Sequence, residues 1–316
     1  MVAEVPVILC WGFQNQRTEK MSPNKEHFYK YYTAKSAFLT LRNGSQKWSN
    51  PIEFNDPFDN QFDFYFEEPN DQDIDELLES FIINSFKSDQ PVPGFPLDVA
   101  NNLKRIQEFY RVLGNIGLSE EHTKLLKDGL RQGISNVEVV LPELQKNLQS
   151  IIKTLSIFCI SEIHDSILMW SHYSDNHKGA VIKFLSLKSI DSPLLGARPV
   201  HYSQNLPKTK YTDFLNFSSL HRRNEDIRDL LTLTKSEVWS YEKEWRVVTE
   251  LTDQNKTHEF VEFHPEEVGS IYLGCRMEKS DKEQLTELVR AKYPKVNIYQ
   301  AIKNQTQFAL DFLEIP

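Results

Sequence analysis

The chain is poor in cysteine. Cys10, Cys159 and Cys275 are odd in number and far apart. That spacing builds neither a disulfide framework nor a CxxC metal knuckle, so a reducing compartment is expected. Positive charge is also short: 36 Lys and Arg against 45 Asp and Glu leave a net charge of −9. A protein that coats nucleic acid needs a positive field to attract phosphates, so the balance argues against that class, while it does not exclude a small pocket for one nucleotide. Long apolar runs are missing. Val5 to Phe13 comes nearest, but it is too short to span a bilayer and no basic residue precedes it. It reads as a first strand or a loosely docked arm, and the expectation is a soluble cytoplasmic protein with no membrane partner. The Walker loop, GxGxxG, HExxH and GxSxG are absent as well, which removes the common catalytic signatures.

What is present can fold. The 316 residues are 40% hydrophobic, with 20 Phe, 12 Tyr and 5 Trp, enough to bury a sizeable core. Residues 1–26 read as an N-terminal arm, and residues 27–316 as one mixed domain. Residues 27–33 are aromatic strand formers, a short helix fits 34–42, and Asn43-Gly44 marks a turn. Phe62, Phe64 and Phe66 alternate with polar neighbours as a strand does. The pattern then changes. Eight acids and one lysine between Glu67 and Gln90 accompany apolar residues at helical spacing, and residues 67–154 read as a helical insertion.

After residue 155 the spacing returns to strands. They are expected at 156–160, 180–185, 199–203, 244–251, 258–263, 270–273, 296–301 and 308–315. Helices are expected after Asp165-Ser166 and at 206–217, 223–236 and 279–293. The fold class is therefore α/β of the α+β type: a mixed twisted sheet with flanking helices.

Three clusters stand out. The first is Asn50-Pro51-Ile52-Glu53-Phe54-Asn55-Asp56-Pro57-Phe58-Asp59. It reads either as a rigid Asx–Pro corner with Phe54 and Phe58 in the core, or as a pocket rim bearing Asn55 or Asp56. Ordinary turn chemistry favours the corner.

The second is Met169-Trp170-Ser171-His172-Tyr173, followed by His177-Lys178-Gly179. His172, Tyr173 and His177 are pocket candidates. Two histidines five apart match no standard zinc pattern, so structural histidines and no metal are expected.

The third is Trp239-Ser240-Tyr241-Glu242-Lys243-Glu244-Trp245-Arg246. A strand starting near Glu242 would place Glu242, Glu244 and Arg246 on one face. Two carboxylates there raise each other's pKa unless a cation pairs them. The face is either a salt-bridged structural element or a carboxylate pair aimed into a cleft.

Together these motifs resemble the bacterial family known as domain of unknown function 2971, over about Phe28 to Arg276. Lys30-Tyr31, His201-Tyr202-Ser203 and Ile271-Tyr272-Leu273-Gly274-Cys275 add to the likeness. More distantly, the layout resembles the ADP-ribosyltransferase-like fold of toxin and phage-defence proteins. That resemblance implies a first strand at Phe28 to Thr33, a second at Lys47 to Asn50 containing Ser49, and a late catalytic Glu at Glu244. It implies NAD as substrate. Glu244 would stabilise the positive charge that develops on the ribose. Glu242 would position or deprotonate an acceptor. Tyr29, Tyr31 or Tyr32 would stack the nicotinamide, and Lys30 or Arg246 would meet the diphosphate.

The leading expectation is thus an NAD-using transferase or glycohydrolase, an effector of phage defence or a toxin system, with a small-molecule nucleotide as ligand. One alternative is a non-catalytic sensing or protein-interaction module of the same fold, in which Glu242, Glu244 and Arg246 form a buried ion network. A third is a metal-dependent hydrolase using His172, His177 and nearby acids.

Overall fold

The computed structural model describes residues 25–60, 65–67, 70–73, 75–76, 108, 121, 124, 128, 141–210 and 228–315. Residues 1–24 of the expected arm and most of the expected helical insertion lie outside the described residues. In chain order the described strands are β1 (His27–Tyr32), β2 (Ser45–Ser49), β3 (Tyr65–Glu67), β4 (Leu155–Ser161), β5 (Ala180–Leu185), β6 (Arg198–Pro199) and β7 (His201–Ser203). They continue with β8 (Lys208–Lys210), β9 (Thr234–Ser236), β10 (Glu244–Glu250), β11 (His258–Glu262), β12 (Val268–Leu273), β13 (Asn297–Lys303) and β14 (Leu310–Ile315). The helices are α1 (Ala34–Asn43), α2 (Leu141–Thr154), α3 (Ile167–Tyr173) and α4 (Lys279–Lys292). None of the described helices is long and apolar enough to cross a membrane.

The chain divides into two compact units. The smaller takes residues 1–20, 64–144 and 208–228. In it β3 and β8 pair in parallel, Tyr65 opposite Lys208. The helix expected over 206–217 is therefore corrected at 208–210, where pairing with another strand overrides local propensity.

The larger unit takes residues 21–63, 145–207 and 229–316. Its main sheet runs β11-β2-β4-β1-β5-β12-β13-β14, with β10 on β4 and β6 on β10. Every pairing in it is antiparallel except β12 with β13. This is the mixed α/β architecture expected, with a mainly antiparallel sheet. The helix expected over 223–236 stops at residue 233. Thr234–Ser236 instead forms β9, which pairs in parallel with β7.

Local chemistry sets the boundaries. Thr33 caps α1 by accepting from the Ser36 amide at 3.2 Å. Gly44 closes it in the left-handed region, φ 69°, donating to Thr40 O. Ser166 caps α3 by accepting from Met169 N.

β4 is the pivot of the sheet. Along one edge it pairs with β10 over its full length, Glu244 opposite Ser161 and Glu250 opposite Leu155. Its other edge is shared: Ser161 faces Tyr29 of β1, and Ile157 faces Ser49 of β2. Between those two contacts the ladder opens. There the Lys30 ammonium donates to the Cys159 carbonyl at 2.5 Å and lies 5.0 Å from the Phe158 ring centroid. Below the fork, the fully buried Asn50 amide nitrogen reaches Leu155 O at 2.7 Å, and Ile152 O and Lys153 O at 3.0 Å each. Side chains thus serve backbone carbonyls of β4 and of the last turn of α2.

Candidate functional site

The third sequence cluster becomes a buried ion network. Glu242 does not sit on a strand as expected. It ends a short 3-10 helix, Glu237–Glu242, and Lys243 turns the chain through the left-handed region, φ 47°, before β10 begins at Glu244. Simple alternation from Glu242 is therefore corrected. The turn nevertheless brings both carboxylates to one ammonium. Lys235 of β9 donates to Glu242 Oε2 at 2.6 Å and to Glu244 Oε2 at 2.8 Å, with Asp59 Oδ2 at 3.5 Å.

Arg246 is 1% exposed and completes the network. Its Nε donates to Glu244 Oε1 at 2.8 Å, and its two terminal nitrogens hold Asp59 at 2.9 and 2.6 Å. Nη1 also donates to Thr232 O at 2.7 Å. The guanidinium thus grips two carboxylates and a carbonyl, using the planar fork that makes arginine suited to buried pairs. The Phe54 ring lies 5.5 Å from its central carbon.

The two glutamates differ sharply in proton affinity. Burial alone would raise the pKa of Glu244, but Arg246 and then Lys235 outweigh it and hold the carboxyl well below its ordinary value of 4.5. Glu242 moves the other way. Burial and the nearby Glu244 charge raise it, against the pull of Lys235. Its second oxygen accepts from the Tyr173 hydroxyl at 2.5 Å. Three carboxylates share two cations here, and Glu242 is the one that carries the imbalance.

A cleft of about 590 Å³ borders this network. It is lined by Asn55, Asp56, Pro57 and Phe58, by residues 203–207, and by Thr234, Lys235, Ser236, Val238 and Trp239. The cleft reaches Lys235 but neither glutamate, so the lysine is where network and cleft meet. Asp56 makes the expected Asx turn, accepting from Phe58 N at 2.9 Å, and its other oxygen accepts from the Trp239 indole at 2.6 Å. Corner and rim are therefore the same residues. Phe58 departs from expectation: it is 65% exposed at the cleft instead of buried in the core.

The first-strand candidates are separated by strand alternation. Tyr29 and Tyr31 are buried with Met169, Trp170, Val181 and Tyr272. Burial, then Tyr272, pushes the Tyr29 hydroxyl up to about 12. Lys30 faces the opposite side with Phe28 and Tyr32, and burial lowers its pKa. A ring stack on Tyr29 or Tyr31 and a diphosphate on Lys30 would thus sit on opposite faces of β1. Ser49 ends β2, opposite His258 and Ile157, and does not line the cleft.

The histidine cluster is packed, not convergent. His172 is exposed and lies 6.4 Å from the Trp239 ring. His177 stacks on Trp170 at 6.2 Å, and its Nε2 lies 3.1 Å from Ser171 Oγ. Burial, then Arg276 and Lys303, lowers its pKa. Asp175, Asn176 and His177 all have positive φ, and the turn delivers Gly179 against the backbone of Tyr32, where a Cβ would lie 1.9 Å from the carbonyl oxygen. Among the described residues, no group of three or more His, Cys, Asp or Glu is arranged to hold a metal.

Sequence reasoning missed Lys235 and Asp59. Lys235 carried a signal. Lys235 is the one charged residue in the run Leu230-Leu231-Thr232-Leu233-Thr234-Lys235, and a charge so placed needs a partner. Residues 169–247 match the family described as Protein of unknown function (DUF2971). That span holds Tyr173, His177, Lys235, Glu242, Glu244 and Arg246. No curated protein and no solved structure matches the chain.

Proposed function

We propose that the protein is a non-catalytic sensing module, in which the cleft at Asp56, Lys235 and Trp239 receives a small molecule and the ion network behind it is framework. The observation that carries this reading is the state of Glu244. Its carboxylate is 5% exposed and engaged by both Arg246 and Lys235. A carboxylate that stabilises an oxocarbenium-like ribose must be free to face it. The cleft volume falls in the range of small-molecule sites, and its mix of apolar residues with a few polar groups is typical of them. Incubation of the purified protein with NAD tests the reading. No release of nicotinamide is expected; turnover would contradict it.

One observation favours a second reading, NAD cleavage by an ADP-ribosyltransferase-like mechanism. Glu242 holds its proton more tightly than an ordinary glutamate and is bonded to Tyr173, which suits a general acid or base. Under that reading Lys235 swings away on binding, NAD is the substrate, and Glu242→Gln abolishes turnover that the wild-type protein shows.

A further inference from the structure

The composition of the cleft narrows its ligand. Of its lining residues only Asp56 and Lys235 are charged. Both oxygens of Asp56 are engaged, by Phe58 N and the Trp239 indole. The Lys235 ammonium is turned onto Glu242 and Glu244. The described lining therefore offers an anionic ligand no free cation, and both oxygens of its one carboxylate already accept hydrogen bonds. What it does offer is flat apolar surface and carboxamides. The Trp239 indole nitrogen is engaged by Asp56 and the Lys235 ammonium lies 5.3 Å from its ring centroid, so a ligand meets the part of this half-buried ring that those contacts leave at the cleft. Phe58 and Val238 are 65% and 73% exposed. Asn55, Gln204 and Asn205 each carry a donor and an acceptor, and no hydrogen bond among the described residues occupies their side-chain amides.

We propose that the cleft selects a neutral planar heterocycle with adjacent donor and acceptor edges, a nucleobase or nucleoside, and that a phosphate adds nothing to its binding. The inference rests on the sensing reading and deepens it. The ring stacks on Trp239 or Phe58, and the carboxamides read its edge, as in base recognition by aromatic platforms. A 5′-phosphate would bring charge to a surface whose one cation is already matched by three carboxylates.

The experiment is calorimetric titration of the full chain with five matched pairs: adenosine, guanosine, cytidine, uridine and inosine, each against its 5′-monophosphate. At least one nucleoside is expected to bind, with its monophosphate gaining less than the roughly tenfold that a single charge-assisted hydrogen bond to the phosphate would add. Trp239→Ala is expected to weaken that nucleoside roughly 5- to 150-fold, the loss of one base–aromatic stack. Phe58→Ala, at an exposed position that cannot disturb the core, is expected to weaken it as well. A monophosphate more than tenfold tighter than its nucleoside overturns the inference, as does binding that neither variant changes or the failure of all ten compounds. The sensing reading falls separately, on NAD turnover by the wild-type protein.

Discussion

Two regions of the larger unit hold the residues that looked chemical in the sequence, and they are stabilised in opposite ways. Around β9 and β10, Asp59, Lys235, Glu242, Glu244 and Arg246 bury charge and match it. On the far face of β1, Tyr29, Tyr31, Trp170 and Tyr272 bury rings. In the ring cluster two polar tips find backbone acceptors: Tyr31 OH donates to Ile163 O at 3.1 Å, and the Trp170 indole to His164 O at 2.7 Å. The first region depends on several partners at once. The second is held by ring packing, with no buried charge that needs a partner.

Breaking the charged region should have the largest effect. Arg246→Met strands Asp59 and Glu244 without their main cation, and a loss of about 3–5 kcal/mol is expected in urea unfolding. Tyr31→Phe removes one hydroxyl and leaves the ring in place. A loss of about 0.5–1.5 kcal/mol is expected by the same measurement. A larger loss for Tyr31→Phe than for Arg246→Met would reverse the contrast between the regions.

Glu242→Gln sharpens it further. A carboxyl whose folded pKa is raised contributes stability that is present below its unfolded value and is lost as pH rises through the folded one. The variant should therefore match wild type near pH 4 and gain on it toward pH 8, within about 1 kcal/mol. Glu244 has the opposite sign. Its stabilisation is full above the ordinary value of 4.5 and is lost as pH falls toward its much lower folded value, so Glu244→Gln should be most damaging at neutral pH. Unfolding curves at four pH values separate the two.

The fold was more legible than the site. The strands expected at 180–185 and 244–251, the helix over 34–42 and the turn at Asn43-Gly44 rest on local signals, and local signals survive in one sequence. Strand β9 was not legible, because Thr234–Ser236 is strand only through its pairing with residues 201–203. The grouping of Glu242, Glu244 and Arg246 was visible in their spacing, but its meaning was not. That depended on Lys235 and Asp59, one from just before the cluster and one 187 residues before Arg246. The aromatic strand His27–Tyr32 misled for a simpler reason: Tyr29 and Tyr31 share a segment with Lys30 but not a face.

The central claim is that Glu244 and Arg246 are framework, coupled to each other. A double-mutant cycle of Glu244→Gln and Arg246→Met, read by urea unfolding at pH 7, tests it most directly. The account predicts strong coupling: each single variant is badly destabilised, and the double variant falls short of their sum by about 1–3 kcal/mol, because removing both ends strands less charge than removing one. Additive losses, or a Glu244→Gln single variant as stable as wild type, would contradict it.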